Sequence, residues 1–184
     1  MTFKDKIDID TFKIVTQSIA ESNDLESMGD HLSRLLVAAL GIKGCILYLR
    51  SRDTNELQVL AGFGPSLQYL TKGPVLADRS IARSLEGEPV IIRDTAKEPE
   101  ELQYPQQAKK EGIGAILSIP VMFSGEVVGI LRLYHGERWD VSENDVNTLL
   151  ILAEIIGLAL RYTSLLKAAT AFSRVLKDLP VDLD

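Results

Sequence analysis

The sequence predicts an α+β domain: an antiparallel sheet of five or six strands, N- and C-terminal helices on one face, and a pocket covered by loops on the other. Two observations predict it. Amphipathic helical stripes open and close the chain, and the strand-like runs between them come as two hairpins separated by short helices and long irregular stretches. The 184 residues, 46% hydrophobic and 25% charged, suffice for one domain with a buried core. With 20 Lys and Arg against 26 Asp and Glu, the net charge of −6 argues against a nucleic-acid partner, which needs a basic stripe. A single cysteine, Cys45, excludes an internal disulfide framework and a cysteine-rich zinc site, and two histidines, His31 and His135, leave little for a metal centre. Long charge-free apolar runs are absent, and Lys4, Asp5, Lys6 and Asp8 break the opening residues. The expectation is a cytoplasmic protein with no membrane partner and no cofactor.

Residues 7–19 place Phe12, Val15 and Ile19 at helical spacing. Asn23, with Glu26 three residues on, offers a capping box for a helix whose stripe is Leu25, Met28, Leu32, Leu35, Leu36, Ala39 and Leu40 and which stops at Gly41. Residues 45–50 read as a strand buried on both faces, a polar turn follows at 53–55, and Leu57, Val59, Ala61 and Phe63 alternate as the second arm of a hairpin. Residues 66–78 are irregular. Asp78 is placed to cap a short helix through Ile81, Ala82 and Leu85 that Gly87 closes, and Val90, Ile91 and Ile92 form a short strand. After a polar stretch, residues 106–111 read as a brief helix.

The clearest hairpin joins residues 115–123 to 126–134 through Ser124-Gly125. A two-residue loop pairs Val121 with Val128, Ile119 with Ile130 and Leu117 with Arg132, placing Leu117, Ile119, Arg132 and Tyr134 on one face and Ile116, Ser118, Gly129, Leu131 and Leu133 on the other. Ser142 with Asp145 makes another capping box, stapled by Val141 and Val146. The helix that follows carries a heptad seam of Ile151, Ile155, Leu158, Tyr162, Leu165, Ala169, Phe172, Leu176 and Leu179, while a second stripe, Leu149, Leu152, Ile156 and Ala159, is confined to its first half. So the first half covers the sheet, and the second half has an apolar face that a partner helix would cover.

This order of elements, with particular residues, resembles the GAF domain family. The resemblance is carried by the helix ending at Gly41, the strand from Cys45, Ser80-Ile81-Ala82, the run Gly87-Glu88-Pro89-Val90-Ile91-Ile92-Arg93-Asp94, the strand Ala115-Ile116-Leu117-Ser118-Ile119-Pro120-Val121, Gly125, Val127-Val128-Gly129-Ile130-Leu131, and residues 139–145 leading into the last helix. It spans residues 10–162, leaving 163–184 as a continuation of the C-terminal helix for dimerisation and signalling. The resemblance implies a regulatory module with a small-molecule pocket between the sheet and its loops. Family members bind cyclic nucleotides, bilins, haem, amino acids or other metabolites, and many dimerise through terminal helices.

Arg132 is the most informative residue, a guanidinium mid-strand among Ile130, Leu131 and Leu133 where burial without a partner is costly. Gly129 is expected to face the helices, which turns Arg132 toward the pocket. There it either holds a carboxylate or phosphate, or pairs with Asp94 or a loop glutamate. Tyr134 shares its face; Asp94, Thr95 and Tyr104 stand where the family commonly lines its pocket, and Tyr69 and Arg79 are weaker candidates. Cys45 reads as buried apolar filler and stands on the wrong element for a bilin thioether. With one cysteine, the methionine-sulfoxide reductase activity of some family members is ruled out, and the Asn-Lys-Phe-Asp signature of cyclic-nucleotide binders is absent.

No catalytic constellation emerges, so the expectation is a non-enzymatic sensor. It binds a small anionic metabolite, forms a homodimer through Leu158, Tyr162, Leu165, Ala169, Phe172 and Leu176, and acts on a downstream signalling protein or as the input piece of one. The alternative is a scaffold with its pocket filled by its own side chains, serving as an interaction module.

Overall fold

The computed structural model describes residues 7–22, 24–51, 56–73, 75 and 82–177, with side chains as far as Val175. Asn23, the turn at 53–55, residues 78–81 and Leu179 lie outside the described residues, as does the side chain of Leu176.

Helix α1 (Ile9–Glu21) starts at Asp8, whose carboxylate accepts from the Thr11 amide. Helix α2 (Leu25–Leu40) is capped by Asp24, one residue after the expected Asn23, and ends at Gly41 in the left-handed region at φ 61°. Strands β1 (Gly44–Arg50) and β2 (Leu57–Phe63) form the first hairpin. Within the stretch expected to be irregular, Ser66 caps a one-turn helix, α3 (Leu67–Leu70), its Oγ accepting from the Tyr69 amide at 3.2 Å. Helix α4 (Ala82–Leu85), strand β3 (Val90–Ile92), a 3-10 turn (Pro99–Glu101) and helix α5 (Pro105–Glu111) follow. The second hairpin, β4 (Ala115–Phe123) and β5 (Glu126–His135), leads to the 35-residue helix α6 (Glu143–Lys177).

The five strands are ordered β2-β1-β5-β4-β3, and every pairing is antiparallel. Helices α1, α2 and α6 pack on one face, where Leu32, Leu36 and Leu40 meet Leu47, Leu117, Ile119, Leu131 and Leu133 from the sheet and Leu149, Leu152, Ala153 and Ile156 from α6. Asp145 ties this layer together: its Oδ1 accepts from the Ile7 amide at 2.9 Å, while its own amide donates to the Ser142 cap at 3.0 Å.

The second hairpin departs from the expected register by one residue. Past the Ser124-Gly125 turn, Met122 pairs with Val127, but Val121 pairs with Gly129, so Val128 is an extra residue bulged out of β5. From there on Ile119 faces Leu131, Ser118 faces Arg132 and Ile116 faces Tyr134. Ser118 therefore shares a face with Arg132 and Tyr134, and Leu117 and Ile119 belong with Leu131 and Leu133 on the helix face. Gly129 lies on the helix face with Leu131 and Leu133, as expected, but a Cβ there would run into the Tyr48 carbonyl of neighbouring β1, so it is the adjacent strand rather than a helix that demands glycine. The glycine that admits a helix is Gly157, where α6 rests on the Met122 carbonyl.

By length and composition alone α6 could cross a membrane, but its Leu149, Leu152, Ala153, Ile156 and Leu160 are buried against the sheet, as in the core helix of a globular domain. Its seam positions look outward: Leu158 is 60% exposed, Leu165 68% and Phe172 64%.

Candidate functional site

On the face of the sheet away from the terminal helices, Ile46 and Tyr48 of β1, Ile116 of β4 and Ile130 and Tyr134 of β5 are covered by Tyr69, Val75, Leu102, Ala108 and Ile113 from the connecting segments. This second core is apolar in bulk and polar at its centre. The Tyr48 and Tyr134 hydroxyls lie 3.3 Å apart and share a buried hydrogen bond. Tyr69 packs edge-on against Tyr134, centroids 5.6 Å apart at 84°, a favoured aromatic geometry.

Two cations meet this cluster. Arg132, 4% exposed, comes from mid-strand in β5, flanked by Ile46 of β1 and Ser118 of β4, with its guanidinium carbon 5.9 Å from the Tyr134 ring. Lys72 comes from the loop after α3. Its Nζ donates to the Tyr69 carbonyl at 3.0 Å and stands 3.7 Å from the Tyr69 ring centroid and 5.8 Å from that of Tyr104. Both cations line one small cavity of about 10 Å³, with Tyr69, Leu102, Tyr104 and Ile116 among its other walls. That is room for about one water molecule.

Burial, and then the positive charge of Arg132, push the Lys72 amine down to about 8, with Glu111 opposing. Burial raises the Tyr48 and Tyr134 phenols and lifts Tyr69 to about 12, so all three are neutral hydroxyls at physiological pH. Glu111 bridges α5 to α3, one carboxylate oxygen accepting from the Ser66 amide at 2.8 Å and the other from the Ser66 hydroxyl at 2.6 Å. Gly73 at φ 131° completes the fit, since a Cβ there would lie 2.7 Å from the Tyr104 hydroxyl.

Of the residues expected at the pocket, Arg132, Tyr134 and Tyr104 come together in this cluster, joined by Tyr69. Asp94 and Thr95 do not line the cavity. Asp94 accepts from the Ala96 amide at 3.1 Å, and Thr95 donates its hydroxyl to the Ile113 carbonyl at 2.7 Å, so both serve the loop that leads away from β3. Arg79 lies outside the described residues. The sequence marks Lys72 only by its position three residues after Tyr69, and in the structure it lies beyond the end of α3. The bulge at Val128 brings Ser118, expected on the opposite face, beside Arg132, and its buried Oγ finds no hydrogen-bond partner among the described residues.

Cys45 is fully buried on the helix side, and burial pushes its thiol up to about 12, opposite to the direction a nucleophile needs. His135 stacks on Trp139 at 5.5 Å, and no group of His, Cys, Asp and Glu suited to a metal forms among the described residues.

The sequence model of the GAF domain matches residues 22–161. The chain belongs to the GAF family. Like GAF domains in general it is a sensory and regulatory module of signal transduction. Solved GAF structures agree in fold. The GAF domain of a phosphoenolpyruvate-protein phosphotransferase from Coxiella burnetii is 19% identical, with a TM-score of 0.76 over 87% of this chain and 96% of that one. Free methionine-R-sulfoxide reductase from Neisseria meningitidis, solved with its substrate, is 16% identical, with a TM-score of 0.70 over 87% of this chain and 95% of that one. A phycoerythrobilin-bound GAF domain from a cyanobacterial phytochrome is 19% identical, with a TM-score of 0.65 over 85% and 95%. No curated protein matches the chain by sequence.

Proposed function

We propose that this GAF domain is a cytoplasmic sensor of a small anionic metabolite, which it takes up in the cleft between Arg132 and the loop carrying Tyr69 and Lys72. The observation that carries the reading is the convergence of two cations, one from the sheet and one from a loop, on a single aromatic-walled cavity. Arg132, Tyr134 and Tyr104 are the ligand-facing residues, with Asp94 and Thr95 supporting the adjoining loop. Residues 10–162 make up the sensory unit. Residues 163–184 continue α6 as a dimerisation and signalling helix, in which Leu158, Tyr162, Leu165, Ala169, Phe172 and Leu176 meet a second copy and pass the signal to a downstream protein.

Native mass spectrometry of protein purified from cells tests the ligand. A small molecule present on the wild type and missing from Arg132→Ala is expected. A ligand retained by Arg132→Ala would remove the guanidinium from the site. Sedimentation tests the dimer: Leu165→Asp with Phe172→Asp puts charges into an apolar seam and should give monomers, and a double variant that stays dimeric would sink the helical interface.

One observation favours a second reading. With room for about one water, the cavity is closed by Tyr69 and Tyr104, as in a scaffold that fills its own pocket and acts through its helices alone. A bare dimer for wild type and Arg132→Ala alike would favour it.

A further inference from the structure

Lys72 stands in a setting that few lysines share. It is half-buried at the small cavity, with the Tyr69 ring centroid 3.7 Å from its Nζ, the Tyr104 ring centroid at 5.8 Å and one hydrogen-bond acceptor, the Tyr69 carbonyl, at 3.0 Å. The charged groups that act on it are Arg132 of β5 and Glu111 of α5, and both Glu111 oxygens accept from Ser66. Among the described residues no carboxylate forms an ion pair with Lys72. Enclosure by rings removes part of the hydration that keeps a lysine protonated. At pH 8 about half of this amine is neutral, against about 0.3% of a lysine at its ordinary 10.5. A neutral amine is a nucleophile, and an ammonium is not.

We propose that Lys72 is a site of reversible modification by carbon dioxide, which its Nζ takes up as a carbamate within the aromatic-walled cavity. The size and polarity of the cavity select the reagent. It has room for about one water and is walled by Tyr69, Leu102, Tyr104, Ala108 and Ile116. Such a space favours a small, uncharged electrophile, and excludes acyl phosphates and thioesters by bulk and charge. Carbon dioxide meets both conditions and needs no co-reactant. The ammonium first gives a proton to water. The Nζ lone pair then forms a bond to the carbon, one carbon–oxygen π pair moves onto oxygen, and a second proton leaves Nζ for solvent. Nothing is oxidised or reduced. The positive charge of Arg132, which disfavours the Lys72 ammonium, favours the anionic carbamate that replaces it. Because Lys72 is only half-buried, the added carboxylate can extend toward solvent without unpacking the sheet. The inference goes beyond the metabolite site: it needs Lys72 and its surroundings alone, and stands whether or not the cleft takes up a free anion. Modification would turn a cation of the cleft into an anion and so make the domain responsive to dissolved carbon dioxide.

The test equilibrates the full chain near pH 8 with isotope-labelled bicarbonate and carbon dioxide, records the carbon NMR spectrum, and traps carbamates with a trialkyloxonium reagent before peptide mapping. Wild type should show a carbamate resonance, and the trapped label should lie on the peptide carrying Lys72 while the other lysines stay unlabelled. The resonance should be lost in Lys72→Arg, a variant whose fold circular dichroism checks. The α-amino group, ordinarily at about 7.7–8.0, is the rival site, and mapping tells the two apart. Label on the α-amino group without label on Lys72, or a wild type with no carbamate resonance, overturns the proposal. So does a resonance that persists undiminished in Lys72→Arg. Because the trapped label is read on the wild type, the decision survives a variant that fails to fold.

Discussion

The two faces of the sheet are built to different rules. On the helix face Leu47, Leu117, Ile119, Leu131 and Leu133 meet leucines and isoleucines of α2 and α6, with Cys45 and Ser33 buried among them. On the loop face alternate residues of the same strands present Tyr48, Ser118, Arg132 and Tyr134, covered by Tyr69 and Lys72 from segments with little regular structure. One face is optimised for apolar burial. The other places hydroxyls and cations away from water, and that asymmetry is what favours the loop face as the proposed site.

Substitutions on the two faces should therefore differ in kind. Leu133→Ala, which leaves a hole in the fully buried helix face, should cost about 2–5 kcal/mol in a urea melt. Tyr134→Phe, one residue along and on the opposite face, keeps its ring volume and loses the 3.3 Å bond to Tyr48, so about 1 kcal/mol is expected. Equal costs would mean that both faces are held by packing alone.

The next effect depends on pH. The Lys72 amine, ordinarily at 10.5, sits at about 8 in the folded protein. Below 8 it is charged in both folded and unfolded chains, and the penalty for burying it is fully present. Between 8 and 10.5 the unfolded chain binds more protons, so stability from this group rises with pH. Melts across that window should show the rise in wild type and a flatter profile for Lys72→Met; parallel profiles would place Lys72 in solvent. Over the same window a bound anion should weaken as the ammonium is lost. Smallest is Ser118→Ala, expected to change stability by no more than about 0.5 kcal/mol because its buried Oγ has no hydrogen bond to lose among the described residues.

The same asymmetry explains what the sequence made legible. Helical stripes such as Leu32, Leu36 and Leu40 report the helix face directly, since periodicity follows from packing against a flat layer, and so α2, α6 and both hairpins were readable. The loop face has no such period. Arg132 stood out because a guanidinium is conspicuous between leucines, whereas Lys72 lies in a polar stretch where a lysine signals nothing. The bulge at Val128 was invisible because valine fits either side of a strand, and that single residue moved Ser118 to the face of Arg132. Asp94 and Thr95 have side chains suited to ligands and equally to loop turns; here they close the turns.

Hydrogen–deuterium exchange of the wild type, with and without the small molecule that native mass spectrometry finds on it, asks directly whether ligand and loop face belong together. Altered protection in residues 67–73 and 102–111, with residues 28–40 and 149–160 unchanged, is the expected result. Changes confined to the helix-face segments, under conditions where that molecule binds, would contradict a ligand site on the loop face.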